Sequence, residues 1–347
     1  MNPNITNGQS TMKVYICVTL YHVYVTLVKV FSEQEDISKI VIFLNANNEK
    51  VYQQYIYIGQ QLQKHGFVCD VRLRKKWDEL RGKVRVQNKH QFLIVEEQMR
   101  KIGVSEFTLY NFAWNNSYVY STANLLYKKS SEAFFIEESA MIAKLPVESN
   151  WKKALHKLLG GGVDFIKDDK LKAIYVQNPA IFPEEWQSKL LRFNLSDMIE
   201  KLKDENKKDI LTIMSQYGES IANLLKDPNI GIVFTSPFSE QNLITEQEKI
   251  KYTLEMCDYY KRYGRLVLKL HPRDTTMYPV SEDVAVLPTS FPSELLSLTG
   301  CKFKFAIAIC SGAVETANAQ YKINMNENFL QDKLFKLRDI HGEVIKE

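Results

Sequence analysis

The sequence predicts an α/β protein built from two Rossmann-like domains, and three observations carry that expectation. Short apolar runs recur along the chain with helical patterns between them, as in parallel strands joined by crossover helices. The alternation loosens once, from about residue 140 to 205, where GGG at 160–162, Pro179, Pro183 and the charged run KLKDENKKD collect; it then resumes. The 347 residues are too many for one small core, and domains of about 150 residues each give two. The expected domains are 12–165 and 166–347.

The opening KVYICVT, Lys13 to Thr19, is a buried strand that runs into a helix after Tyr21. Further strands are expected at KIVIFLN (39–45), FVCDVRL (67–73), FTLYNFA (107–113) and AFFIEES (133–139). The intervening VYQQYIYIGQQLQKHG returns apolar residues every three to four positions before a glycine stop, which marks an amphipathic helix. In the second half come GIVFTSP (231–237), a helix from Thr245 to Tyr263, RLVLKLHP (265–272) and DVAVLP (283–288). A helix on SELLSLTG, the strand KFAIAICSG (304–312) and a last short helix complete it. Helices between such strands imply parallel sheets covered on both faces.

Composition removes several classes of function. The formal charge of +4, from 45 basic and 41 acidic side chains, is far below that of a dedicated nucleic-acid binder. Cys17, Cys69, Cys257, Cys301 and Cys310 are odd in number and contain no CxxC pair, so neither a disulfide framework nor a zinc site is expected, and a reducing compartment fits. No apolar run reaches about 18 residues, and the polar start MNPNITNGQST lacks the plan of a signal peptide. A cytoplasmic protein is expected. The basic stretch around Trp77, RLRKKWDELRGKVR, is an exposed helix or loop; if it binds anything, the inner membrane face carrying a lipid-linked acceptor is the leading idea.

In open α/β sheets ligands sit beyond the carboxyl ends of the strands. RLVLKLHPR delivers Lys269 and His271 on one side of a strand that Pro272 ends. TSFPSE places Ser293 and Glu294 at a helix start, and ICSGAVET places Ser311 and Gly312 at a turn suited to a phosphate. VFTSPFSE ends with Ser236, Ser239 and Glu240. Each has an ordinary reading as a turn, a cap or a macrodipole partner. Together they suit a nucleotide, with the carboxylate on ribose hydroxyls and the other groups on its phosphate. Asp274 and the pair Asp168/Asp169 read as solvated turn and linker residues. No DxD follows a strand, so no metal is expected, and TLYHVYVT lacks the glycines of a dinucleotide site.

The order K-x-HP, then PSE at a helix start, then CSGA before a last helix resembles the bacterial sialyltransferases of glycosyltransferase family 52, which include lipooligosaccharide and capsule enzymes. The opening CVTLYHVYVTL is similar to that of streptococcal capsule sialyltransferases. The acidic pair Glu137/Glu138 and the His-Pro step resemble motifs of other bacterial sialyl- and polysialyltransferases, although Ser139 stands where those have glycine.

The resemblance implies a GT-B fold, two Rossmann-like domains facing across a cleft, with the first holding the acceptor and the second the nucleotide. It implies an inverting transfer of sialic acid from CMP-sialic acid to a terminal galactose of a surface glycan, with an α-2,3 linkage expected and no cofactor. His271, protonated, would contact the CMP phosphate as its acid, with Lys269 near the nucleotide, Glu294 on the ribose, and Ser311 with Gly312 on the phosphate. In the lipooligosaccharide enzyme the proposed base is an aspartate after an SP pair; here that position is Phe238, which leaves Glu240, Glu137 and Glu138 as candidates. Acceptor candidates in the first domain are Tyr21, His22, Asn45, Asn47 and the loop FAWNNSY with Trp114, since an aromatic face beside amides grips a pyranose. The alternatives are a UDP-sugar hexosyltransferase on the same scaffold and a non-catalytic nucleotide- or sugar-binding module. Oligomeric state is not written in these patterns.

Overall fold

The apolar runs become two parallel sheets in the computed structural model, which describes residues 11–73, 83–112, 122–137, 167–227, 229–311, 313–325 and 336–345. The chain divides into two compact units, Met1–Leu202 and Lys203–Glu347. Each has the doubly wound α/β plan that the sequence predicts.

The strands of the first unit are β1 (Met12–Cys17), β2 (Ile40–Ala46), β3 (Val68–Leu73), β4 (Phe107–Asn111), β5 (Glu132–Ile136), β6 (Leu171–Val176) and β7 (Leu190–Arg192). Helices α1 (Leu20–Ser32), α2 (Glu49–Lys64), α3 (Lys83–Ile102), α4 (Thr122–Lys129) and α5 (Leu195–Glu200) connect or follow them. The sheet order β3-β2-β1-β4-β5-β6-β7 puts β4 in the middle and the topological switch between β1 and β4. β2 is buried at every position, which is why its sequence is a continuous apolar run rather than an alternating one.

β6 and β7 move the boundary from the expected 165/166 to 202/203, because β6 pairs with β5 and β7 with β6 in the first sheet. Their short length, and the Asn-Pro and Phe-Pro steps between them, disguised them as linker.

The first core contains an aromatic stack that crosses four strands. Ring centroids of Tyr15 and Tyr110 lie 4.6 Å apart, of Tyr110 and Phe134 5.1 Å, and of Phe134 and Tyr175 5.9 Å. The buried Lys29 of α1 places its ammonium 5.3 Å from the Tyr110 centroid and 5.7 Å from that of Tyr175. It pairs with Glu33 and with Glu35, which also takes Lys13 at 2.6 Å. A charge at that depth is tolerable only because carboxylates and ring faces surround it.

The second unit carries α6 (Asp204–Met214), α7 (Gly218–Leu224), β8 (Ile230–Phe234), α8 (Glu246–Tyr260), β9 (Arg265–Lys269), β10 (Val284–Leu287), β11 (Phe303–Ile309), α9 (Ala313–Thr316) and β12 (Ala319–Met325). Its order is β10-β9-β8-β11-β12, with the switch between β8 and β11. The sequence predicted β8 to β11 but not β12, and the helix expected on SELLSLTG is a 3₁₀ segment, Ser293–Leu298. Among the described residues no helix is long and apolar enough to cross a membrane.

β8 starts Ile-Gly because the Phe305 ring of β11 lies on Gly231: a Cβ there would sit 2.0 Å from the ring. Gly231→Ala forces overpacking and is expected to destabilise the protein by about 1–3 kcal/mol, seen as a lower denaturation midpoint. An unchanged midpoint would mean that Phe305 is free to move.

Candidate active site

The carboxyl ends of β8, β9 and β11 bring the predicted polar residues of the second unit to one edge of its sheet. β8 runs on into Thr235 and Ser236, β9 into Leu270 and His271, β11 into Cys310 and Ser311. Thr235 N–H donates to Lys269 O at 3.0 Å and Ser236 Oγ donates to Ile309 O at 2.9 Å, so β8 is tied to both neighbours at the switch point.

His271 is half-buried and held at its backbone and its ring. Its amide donates to Thr235 Oγ1 at 2.9 Å, and its Nδ1 accepts from the Arg273 amide at 3.1 Å. An Nδ1 that accepts carries no proton, so the ring is the Nε2–H tautomer. Nε2 makes no hydrogen bond among the described residues. Burial first, then the Arg273 and Lys269 charges, pull the imidazole pKa below its usual value, against Asp274 and Glu240. In the free protein the ring is thereby held towards its neutral form.

The feature that sequence reasoning missed is Lys249, in the first turn of α8. It is buried, and its ammonium lies 2.7 Å from Asp274 Oδ1, 2.8 and 2.9 Å from the oxygens of Glu240, 3.1 Å from Thr276 Oγ1 and 3.2 Å from Ser239 Oγ. A signal was present: Lys249, Thr253, Met256, Cys257 and Tyr260 share the buried stripe of α8, a phase a solvated lysine would avoid. Asp274 is likewise not the solvated turn residue expected. It is 4% exposed, and accepts from Thr235 Oγ1 at 2.5 Å, Tyr278 OH at 2.9 Å and Thr276 N at 3.0 Å.

These contacts bear directly on Glu240. Its Oε1 also accepts from the Thr275 amide at 2.9 Å, and its Oε2 from Ser239 Oγ at 3.0 Å. Burial pushes its pKa up, but Lys249, Thr275 and Ser239 outweigh it and hold the carboxyl at about 2. Such a group accepts a proton poorly. Phe238, where the resemblance would put a base, packs in the core.

Lys269 is buried at the end of β9, with Nζ donating to Leu270 O at 2.6 Å, and Pro272 beside His271 is exposed. Ser293 and Glu294 are half-buried in the first turn of the 3₁₀ segment, 3.5 Å apart between Oγ and Oε2. Ser311 caps the short α9 through Oγ, which accepts from Ala313 N at 3.3 Å, while its amide donates to Asn324 Oδ1 at 3.2 Å. The residue before it, Cys310, is in the left-handed region at φ 49°, a strained conformation of the sort that functional turns retain. Gly312 lies outside the described residues.

In the first unit the acceptor candidates have structural duties. His22 is buried, accepts the Val18 amide at Nδ1 (3.0 Å), completes a capping box with Thr19 and stacks on Phe112 at 4.3 Å. Tyr21 beside it is half-buried. Asn45 is buried and accepts from Gln91 Nε2 at 3.0 Å, and Gln91 also reaches Asp70 at 3.2 Å. Glu137, buried at the end of β5, accepts the Gln177 amide at Oε2 (2.5 Å); its Oε1 makes no hydrogen bond among the described residues. Glu138, Ser139, Trp77 and Trp114 lie outside them.

Two doubly wound units, with anion-suited strand ends in the second, describe a glycosyltransferase scaffold. The chain belongs to glycosyltransferase family 52, whose model matches residues 150–324, half of its length and all four strand-end motifs. A protein of Haemophilus influenzae (strain ATCC 51907 / DSM 11121 / KW20 / Rd), described only as uncharacterized, is 30% identical over 192 residues, 55% of this chain and 60% of that one. The match thus spans less than two thirds of that relative. Among solved structures, the UDP-GlcNAc 2-epimerase of Methanocaldococcus jannaschii is similar at 11% identity and a TM-score of 0.49, covering 92% of this chain and 85% of that one. The Neisseria meningitidis UDP-GlcNAc 2-epimerase bound to UDP-GlcNAc is similar at 11% identity and a TM-score of 0.46, covering 89% and 80%.

The Glu240 pairing has a pH signature. A carboxyl whose pKa falls from 4.5 to about 2 on folding stabilises the fold fully above pH 4.5 and loses that contribution as pH drops towards 2. Denaturant midpoints of wild type and Glu240→Gln should therefore differ at pH 7, draw together below pH 4.5 and converge as pH falls through about 2. Parallel curves would show that the pair is not formed.

Proposed function

We propose that the chain is an inverting sialyltransferase, moving sialic acid from CMP-sialic acid to a terminal galactose of a capsule or lipooligosaccharide glycan, with an α-2,3 linkage. The observation that carries this reading is His271: a ring fixed at Nδ1, whose Nε2–H makes no hydrogen bond among the described residues, at a strand end inside the family-52 match. The strained Cys310–Ser311 turn at the end of β11, on the same edge of the sheet with β8 between, supports it.

The donor's anomeric carbon already bears a carboxylate, and its bond to the phosphate oxygen breaks with negative charge developing on CMP. His271 Nε2–H donates a hydrogen bond to that oxygen. Full proton transfer is not required, because a phosphate monoester has its second pKa near ~6 and leaves readily as an anion. A neutral imidazole in its fixed tautomer suits this electrostatic role. Ser311, with Gly312, takes the remaining phosphate oxygens, Glu294 the ribose hydroxyls, and Lys269, Ser236, Ser293 and Pro272 shape the nucleotide side. We assign no metal or cofactor to the reaction.

The incoming galactose hydroxyl needs a base. Both oxygens of Glu240 are occupied by Lys249 and its neighbours, whereas Glu137 keeps one oxygen unbonded, so Glu137 is the better candidate among the described residues. Tyr21, His22, Asn45 and Trp114 stay the proposed acceptor contacts, Trp114 lying outside the described residues. Contact with an inner membrane face stays part of the proposal through the basic stretch around Trp77.

Donor assays with CMP-sialic acid and a panel of UDP-sugars test the reading: release of CMP supports it, and release of UDP alone would give a hexosyltransferase instead. Binding of either without turnover would give a binding module. His271→Ala is expected to lower kcat by at least about a hundredfold while the protein stays folded. Glu137→Gln should be far more damaging to transfer than Glu240→Gln; the reverse order would return the base to Glu240.

A further inference from the structure

The hydroxyl of Thr235 has one proton, and the geometry decides where it goes. Thr235 Oγ1 lies 2.5 Å from Asp274 Oδ2, which as a carboxylate only accepts, so the hydroxyl donates there. Its lone pair is thereby turned to the His271 amide, 2.9 Å away. Asp274 is held in turn by Lys249 at Oδ1 and by Tyr278 at Oδ2, and its own amide donates to His271 O at 2.8 Å. The turn that carries the imidazole is thus held at its amide by Thr235 and at its carbonyl by the Asp274 amide, and both holders rest on the buried Lys249–Asp274 pair.

We propose that Lys249, Asp274 and Thr235 are positioning residues that set the orientation of His271 without touching the substrate. Burial argues for the assignment: Asp274 and Lys249 are 4% and 3% exposed, and Thr235 is 4% exposed. A buried ion pair is weak evidence of added stability, since well-packed apolar residues often do as well. Here it also fixes the directions of the hydrogen bonds, which apolar residues would not do. Substituting a hydrocarbon at Thr235 keeps the volume and releases the His271 amide, so the ring loses its fixed direction and the Arg273 contact at Nδ1.

The proposal rests on the sialyltransferase reading for the reaction that His271 serves, but the ring can be observed without any reaction. The test compares Thr235→Val and Thr235→Ser in the full chain, by CMP release from CMP-sialic acid and by ¹⁵N NMR of the histidine rings, with His271 assigned from the His271→Ala spectrum. Expected for Thr235→Val is a fall in kcat of about tenfold or more with the donor KM within about threefold, together with loss of the single Nε2–H tautomer. Thr235→Ser, which restores the hydroxyl, should return both. Equal rates and spectra for the two variants, or a change confined to KM, would overturn the proposal. If the wild type does not turn over CMP-sialic acid, the functional reading fails and the ring spectrum decides alone: altered in Thr235→Val and restored in Thr235→Ser supports positioning, unaltered rejects it. Should Thr235→Val fail to fold, Tyr278→Phe removes one donor to Asp274 without a cavity, and the same spectral comparison applies.

Discussion

The buried ammonium of Lys249 organises the carboxyl edge of the second sheet. Lys249 is too deep to stay charged alone, and removing either partner of such a pair costs about 3–5 kcal/mol, so Asp274 and Glu240 must converge on it. That requirement draws the segment after β9 and the segment after β8 together beneath the start of α8. His271 inherits its place from this convergence, since it lies between the end of β9 and Asp274.

The consequence for chemistry is a division of labour among carboxylates that look alike in sequence. Glu240 and Asp274 hold a cation and fix a loop, and a group held near pKa 2 has little left to offer an incoming hydroxyl. Glu137, in the other unit, is tied by one oxygen among the described residues. The imidazole is likewise defined by what it does not bond: Nδ1 is occupied by Arg273, and Nε2 is the nitrogen available to a ligand.

The fold class and most strands were legible because continuous apolar runs between amphipathic stretches leave little choice but a parallel sheet. β6, β7 and β12 were not legible: β7 has three residues, β12 is half-exposed, and β6 is followed by the prolines of a connection, so pairing with a neighbouring strand is what marks them. That His271, Ser311 and Ser236 stand at strand ends was legible, because the apolar runs that precede them end there. Lys249 and Asp274 were overlooked because charge was equated with solvent; the helical phase of Lys249 contradicted that and was readable. The occupied state of Glu240 was not readable, since its partners come from segments 9 and 35 residues away. The amide-accepting duties of His22 and Asn45 were hidden for the same reason.

On the proposed function this clamped imidazole faces the leaving phosphate, a claim that a crystal structure of the chain with CMP bound decides. The claim predicts a phosphate oxygen within about 3.2 Å of His271 Nε2, with the Arg273, Thr235 and Asp274 contacts intact. A nucleotide seated elsewhere, or a His271 ring turned away from it, would contradict the claim.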